Sequence, residues 1–193
     1  MNNLEGHPIE FFLESERLFG SELEFSIYKY VPQVLDDSRK VFTIPFGELS
    51  KGWLSGELSK LDSEFDLAIH SKVRIGKDVL YLPMIDMACD LDQLRDAFLL
   101  MRKVLPKEYI EKAFFVNSGR SYHVYVMKLL KKKEWFNFMG RILLMNFPGH
   151  KDFVDQRWVG HRIMAGYGAL RWSNNNSNYL GLPRKVESIN GSA

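Results

Sequence analysis

Apolar and polar positions alternate along much of the chain in ways that predict short, mixed elements. Residues 9–19, where Phe11, Phe12, Leu13 and Leu18 stand among glutamates, have the spacing of a short amphipathic helix. Residues 25–30 read as a second helix or a strand that ends before Pro32. The run VFTIPF at 41–46 reads as a strand closed by Pro45, and DLAIHSKVRI at 66–75 alternates with the period of two that marks a strand. A turn around Gly76 to Asp78 leads into VLYLPMIDMA, apolar enough for a central strand, so a hairpin or meander is expected here.

Asp90 or Asp92 is placed to cap a helix of about a dozen residues. Its apolar positions recur at 94, 97, 98, 101 and 105, and Pro106 stops it. AFFVNS and YHVYVM flank the tight segment SGRS, most simply as a hairpin or bent pair. LLKKKEWFNFMGRILLMNF predicts an amphipathic helix, basic near its start and broken by Pro148 and Gly149. The Gly-, Arg- and aromatic-rich stretch that follows contains at least one strand, at GALRWS, and SNNNSN at 173–178 reads as a flexible polar loop. Hairpin signals mixed with helices predict an α+β domain, a mixed or antiparallel sheet flanked by helices, and not a doubly wound parallel sheet.

Composition narrows the class. At 193 residues, 46% hydrophobic and 26% charged, the chain has the make-up of one soluble globular domain. We divide it into an N-terminal region at 1–64, a core at 65–175 and a tail at 176–193. Cys89 is the only cysteine, so no internal disulfide forms and no CxxC pair seats zinc. A reducing, cytoplasmic compartment is the expectation. The acidic start, broken by Gly and Pro, does not resemble a signal peptide, and no apolar run approaches the ~18 residues of a membrane span.

The net charge of +2 conceals an asymmetry. Residues 1–66 hold thirteen acidic and six basic side chains; residues 120–193 hold twelve basic and four acidic ones. A basic half of this kind points to a polyanion partner. The acidic character of residues 1–64 argues against that region facing a nucleic-acid template. Neither GxGxxG nor GxxxxGK[ST] occurs, which excludes the two commonest phosphate-cradling loops.

Three segments set polar residues into apolar strands. Asp86 lies in LPMIDMACD, where a carboxylate at a buried strand end requires pairing, protonation or a metal, unless it caps the next helix. In SGRSYHVYV, Ser118 and Ser121 offer hydroxyls, Gly119 permits close backbone approach to a ligand, Arg120 suits phosphate oxygens, and His123 opens the strand. Asp155 lies in VDQRW, followed by His161, Arg162 and then Arg171 in ALRWSNN. Such a group is a surface salt-bridge cluster or a metal ligand beside phosphate clamps; in nucleotidyl transfer, carboxylates hold Mg2+ or Mn2+ and cations absorb developing charge. Cys89 reads as a small buried residue and not a nucleophile, and the sequence identifies no partner for His70 or His150.

In this order, the three segments resemble the archaeo-eukaryotic primase superfamily, including its primase-polymerases. That family has a strand ending in Asp-x-Asp or Asp-x-Glu, then Ser-x-His, then a single Asp. Asp86, the Ser121-Tyr122-His123 triplet and Asp155 stand at those positions, and SGRSYHVYV is similar to the SGR-x-x-H pattern of primase catalytic subunits. The resemblance spans residues 65–175. It implies an RRM-like sheet and a catalytic group of Asp86, Asp155 and His123. Mg2+ or Mn2+ would be held by Asp86, Asp155 and Asp90, and a nucleoside triphosphate by Ser121, His123, Arg120, Arg162 and Arg171.

The same resemblance implies single-stranded DNA as template, with a helicase, an initiator or a second primase subunit as candidate partners, and no membrane. Lys128, Lys131, Lys132 and Arg157 are the candidates for tracking a nucleic-acid backbone. One position departs from the pattern. Ala88 occupies the place of the second carboxylate, and on a regular strand the next acid, Asp90, lies ~13 Å from Asp86. Only a bulge or turn after Met87 would return it. The departure bears on two-metal catalysis and favours, as the alternative, a degenerate module that binds nucleotide or nucleic acid without polymerising.

Overall fold

The computed structural model describes residues 3–31, 34, 38–176 and 179–186. Pro32, residues 177–178 of the expected polar loop and residues 187–193 of the expected tail lie outside the described residues.

In chain order the elements are α1 (Ile9–Leu13), β1 (Glu22–Lys29), β2 (Arg39–Pro45), α2 (Lys51–Lys60), β3 (Phe65–Ile75), β4 (Asp78–Tyr81), β5 (Met84–Asp86), α3 (Leu94–Val104), α4 (Lys107–Ile110), β6 (Ala113–Asn117), β7 (Tyr122–Val126), α5 (Lys132–Leu143), α6 (Gln156–Ala165), β8 (Ala169–Arg171) and β9 (Arg184–Lys185). The class is α+β with antiparallel pairing. The strands divide into two sheets, β2-β1-β3-β4 with β8 paired to β3, and β5-β7-β6-β9.

The division occurs at Pro83. VLYLPMIDMA is two strands rather than one, β4 in the first sheet and β5 in the second. A proline has no N–H to give a ladder, so pairing breaks there. Its carbonyl instead accepts from Val126 N–H at 3.0 Å while Leu82 N–H donates to Ser71 O at 2.7 Å. Asp86 is thereby carried to an edge strand of the second sheet.

Alternation along β7 explains how one strand serves two layers. Tyr122, Val124 and Val126 pack with α3, α5 and α6 through Met101, Phe138, Ile142 and Val159. Tyr125 points the other way, into the core shared with the first sheet and centred on Trp172. The indole N–H of Trp172 donates to the Tyr125 hydroxyl at 3.1 Å, and Phe12 and Phe25 meet its ring edge-on at 5.1 and 5.4 Å. His123 lies on the same face of β7 as Tyr125, and Asp86 on the same face of β5 as Met84, which joins that core.

Local signals account for the helices. Asp90 caps a 3-10 turn at Leu91–Gln93 that feeds α3, with a reciprocal contact from Gln93. Two helices escape the periodicity. α2 holds two glycines and starts on Ser50, whose hydroxyl accepts from Trp53 N–H at 3.0 Å. α6 lies in the Gly-rich stretch, capped by Asp155 at its start and by Gly166, at φ 77°, at its end.

The SNNNSN segment is tied down over its described part. Fully buried Asp66 accepts from Ser173 Oγ, from Asn175 N–H at 3.1 Å and from Asn176 Nδ2. Ser173 Oγ in turn accepts from Leu67 N–H at 2.8 Å. The composition of a loop does not reveal a buried carboxylate contributed a hundred residues earlier.

Candidate active-site cleft

A cleft of about 810 Å3 is lined by residues of both sheets and of α6. Asp86, Ser121, His123 and Asp155, from three separated stretches of sequence, all reach it. Backbone pairing brings them together. Asp86 stands opposite His123 in the β5–β7 ladder. Beyond β5 the chain pairs with residues 153–155: Ala88 N–H donates to Phe153 O at 2.9 Å and Asp155 N–H to Asp86 O at 3.0 Å. The Asp155 carboxylate also accepts from Trp158 N–H at 2.9 Å, at the head of α6.

The electrostatics are those of a crowded anionic corner. Burial, with Asp155 next to it, pushes the Asp86 carboxyl up to about 7, although Arg171 and Arg162 pull against the shift. Burial lowers His123 to about 3, helped by the Arg171 charge. Its Nε2 lies 3.7 Å from Asp86 Oδ1, beyond a hydrogen bond, and its buried Nδ1 has no hydrogen-bond partner among the described residues. An uncharged imidazole therefore sits beside a carboxylate that a cation would stabilise.

The Ser118–Ser121 turn is closed by Ser118 N–H to Ser121 O at 2.9 Å, and Ser121 Oγ donates to Cys89 O at 2.6 Å. Gly119 was expected to admit a ligand. It has φ 108°, and a Cβ there would meet Leu180 at 3.3 Å, so the close approach is to the C-terminal segment instead. Arg171, expected as a phosphate clamp, is buried and donates to carbonyls: Ser118 at 2.7 Å, Gly181 at 3.2 Å and Ser173. Its guanidinium lies 3.8 Å from the Tyr179 ring centroid. It holds the turn that bears Ser121. Arg162 is also buried and lines the cleft, 5.6 Å from the Tyr167 ring, whereas Arg120 and Arg157 line it as exposed residues.

Other candidates lie elsewhere. Asp90 pairs with Lys151 and does not line the cleft. Lys128 pairs with Glu108 at 2.6 Å, and Lys131 and Lys132 start α5; none of the three lines the cleft. Among the described residues no group of three or more His, Cys, Asp and Glu side chains converges as a metal site. No helix among them is long and apolar enough to cross a membrane.

The N-terminal region contributes what the sequence did not signal. Tyr28, Tyr30 and Arg39 line the cleft too, with Tyr179 beside the two tyrosines. The acidic composition of this region pointed away from such a role; four of its acids are paired, Glu24 with His70 at 2.6 Å, Glu22 with Arg74 at 3.4 Å, Glu10 with Lys51 at 2.5 Å, and Glu64 with Lys29. His70, read as lacking a partner, also bonds Ser26 Oγ at 2.7 Å.

Two antiparallel sheets flanked by helices, with a carboxylate pair, a Ser-x-His strand and arginines at one cleft, define a primase-like class of α+β protein. A family model described as archaeo-eukaryotic primase 1D-like matches residues 45–184, and the chain belongs to that family. No curated protein and no solved structure matches the chain.

Proposed function

We propose that the cleft binds a nucleoside triphosphate and a single-stranded template and carries out primase-type nucleotidyl transfer. The convergence of Asp86, Ser121, His123 and Asp155 on one cleft, in the family's order, carries the reading. A strand's 3′-hydroxyl would attack the α-phosphorus of the incoming nucleotide, forming the new phosphodiester as the bond to pyrophosphate breaks.

The family generally uses divalent metals, and the donor set fits one ion. Mg2+ is commonly bound by one or two carboxylates with water and substrate phosphates completing the shell, and crowding by Asp155 helps to raise Asp86 in a way that a cation would relieve. Asp86 and Asp155 would hold it, supplying charge neutralisation at the phosphates. Arg120 would bind phosphate oxygens, Ser121 Oγ would join it by turning its O–H away from Cys89 O, and the uncharged His123 would lie beside Asp86. Arg171 positions the Ser118–Ser121 turn, so the acceleration comes from placement and charge compensation.

The test is primer synthesis on single-stranded DNA with NTPs or dNTPs and Mn2+. Activity in the wild type that is lost in Asp155→Ala supports the reading; no synthesis under any of these conditions overturns the enzymatic claim. A second reading has its own observation. Ala88 and the diversion of Asp90 to Lys151 leave two carboxylates at the cleft, which suits a module that binds nucleotide without polymerising, alongside a helicase, initiator or second primase subunit. Nucleotide or DNA would then raise the melting temperature equally in EDTA and in Mn2+.

A further inference from the structure

We infer that the rim of the cleft formed by Tyr30 and backed by Tyr179 is a stacking subsite for the bases of single-stranded nucleic acid. This rests on the nucleotide-binding reading of the same cleft and adds which wall the strand uses and by what chemistry.

The wall is apolar where it is open. Tyr30 is 46% exposed and Val31 53%, and both line the cleft rather than a convex surface. Large apolar groups left in a concave site mark contact surface for a ligand with apolar faces. The rings of Tyr30 and Tyr179 lie 6.3 Å apart at 47°.

Behind this rim the aromatic rings are fixed. The hydroxyls of Tyr28 and Tyr179 are 3.4 Å apart. The Arg39 guanidinium lies 4.0 Å from the Tyr28 ring centroid, and that of Arg171 lies 3.8 Å from the Tyr179 centroid. Cation–π contacts of this kind hold ring orientation before a ligand arrives, which lowers the entropy lost on binding.

The charge around the wall selects the ligand. Arg120 and Arg157 are exposed and line the same cleft as the tyrosines, each beside a candidate phosphate or metal residue in the chain, Ser121 and Asp155. A ligand that is polyanionic along its backbone and flat and apolar on its bases satisfies both features. The half-exposed position of Tyr30 at the rim suits a strand that continues out of the cleft. The base of a single bound nucleotide would need no contact there.

The experiment measures binding of a labelled oligothymidylate by fluorescence anisotropy across a salt series, with triphosphate binding in Mn2+ measured by calorimetry on the same proteins. Tyr30 is exposed enough that its replacement leaves the fold intact, which circular dichroism checks. Tyr30→Ala is expected to weaken strand binding roughly 5- to 150-fold, the range measured for loss of a base–aromatic stack. The slope of log K against log salt stays unchanged, because no ionic contact is lost. Tyr30→Phe keeps the stack and binds within about twofold of wild type, whereas Arg157→Ala lowers the slope by about 1.

Wild-type strand affinity in Tyr30→Ala overturns the inference. So does a loss confined to triphosphate binding, which would assign the wall to the incoming base. A wild type that binds triphosphate and no strand overturns this inference alone, and one that binds neither overturns the nucleotide reading with it.

Discussion

The backbone N–H of Asp155 donates to the carbonyl of Asp86 at 3.0 Å, so the two carboxylates are held as neighbours by the main chain and not by their own side chains. Their mutual repulsion is built into the fold. A ligand cation relieves it, and without one the Asp86 carboxyl carries the cost by holding its proton to about pH 7.

Asp86→Asn should therefore stabilise the metal-free protein. The folded-state pKa of Asp86 lies above its unfolded value near 4. The native state consequently binds more protons between about pH 4 and 7, and wild-type stability falls as pH rises through that window. The variant gains about 1–2 kcal/mol above pH 7, allowing for a side chain still 30% exposed, and nothing below pH 4. Urea denaturation at pH 4 and pH 8 reads the difference. In Mn2+ plus triphosphate the order should invert, with only the wild type gaining in melting temperature.

His7 titrates with the opposite sign. Its Nε2–H donates to Trp172 O at 2.9 Å and its Nδ1 accepts from Ile9 N–H at 3.1 Å, an arrangement only the neutral ring can make. Burial lowers it to about 4. The unfolded chain thus takes up a proton first as pH falls from 6.5. Stability is full above pH 6.5 and drains away down to about pH 4, by up to ~3 kcal/mol. In His7→Gln the part of the stability slope over pH 4–6.5 that His7 supplies should disappear.

Gly119→Ala tests the turn that bears Ser121. Its φ of 108° is outside the range of L-residues, and the new methyl would meet Leu180 Cβ and N at 3.3 Å. A loss of about 1–3 kcal/mol is expected. Triphosphate affinity should fall with it, measured well below the melting transition so that unfolding does not contribute.

Asp66→Ala removes the common acceptor of Ser173 Oγ, Asn175 N–H and Asn176 Nδ2. Leaving buried Ser173 Oγ and half-buried Asn175 N–H without that acceptor should cost roughly 1–3 kcal/mol. Hydrogen exchange should locate the loosening at residues 173–176 and spare α5, which packs on the far side of the second sheet.

The carboxylates and the Ser-x-His strand were legible because each sets a polar residue into an apolar run, and a strand's alternation then fixes which face it takes. The same logic placed β3, β6, β7 and the capped start of α3. It failed where tertiary partners decide. The apolar run through Pro83 hides a change of sheet, since hydrophobicity reports burial and not which ladder a strand joins. α6 hides behind glycines, with its caps as the only local signal. Tyr28, Tyr30 and Arg39 gave no local signal as cleft residues, because only the fold brings them to the cleft that Asp86 and Asp155 line. The lysines that open α5 do not line the cleft, a placement their charge run does not reveal.

The pairing of β8 with β3 sets an order of events during synthesis. Ala68 meets Arg171 and Asp66 meets Ser173 across about a hundred residues, so the first sheet stays open along β3 until residues 169–173 have left the ribosome. The β1–β2, β3–β4 and β6–β7 hairpins form from near neighbours and are available early. Asp86 waits for Asp155, Ser118 waits for Arg171, and Tyr28 waits for Tyr179. A chain stalled before residue 169 would hold both sheets in part and would lack the β8 and Tyr179 portions of the cleft.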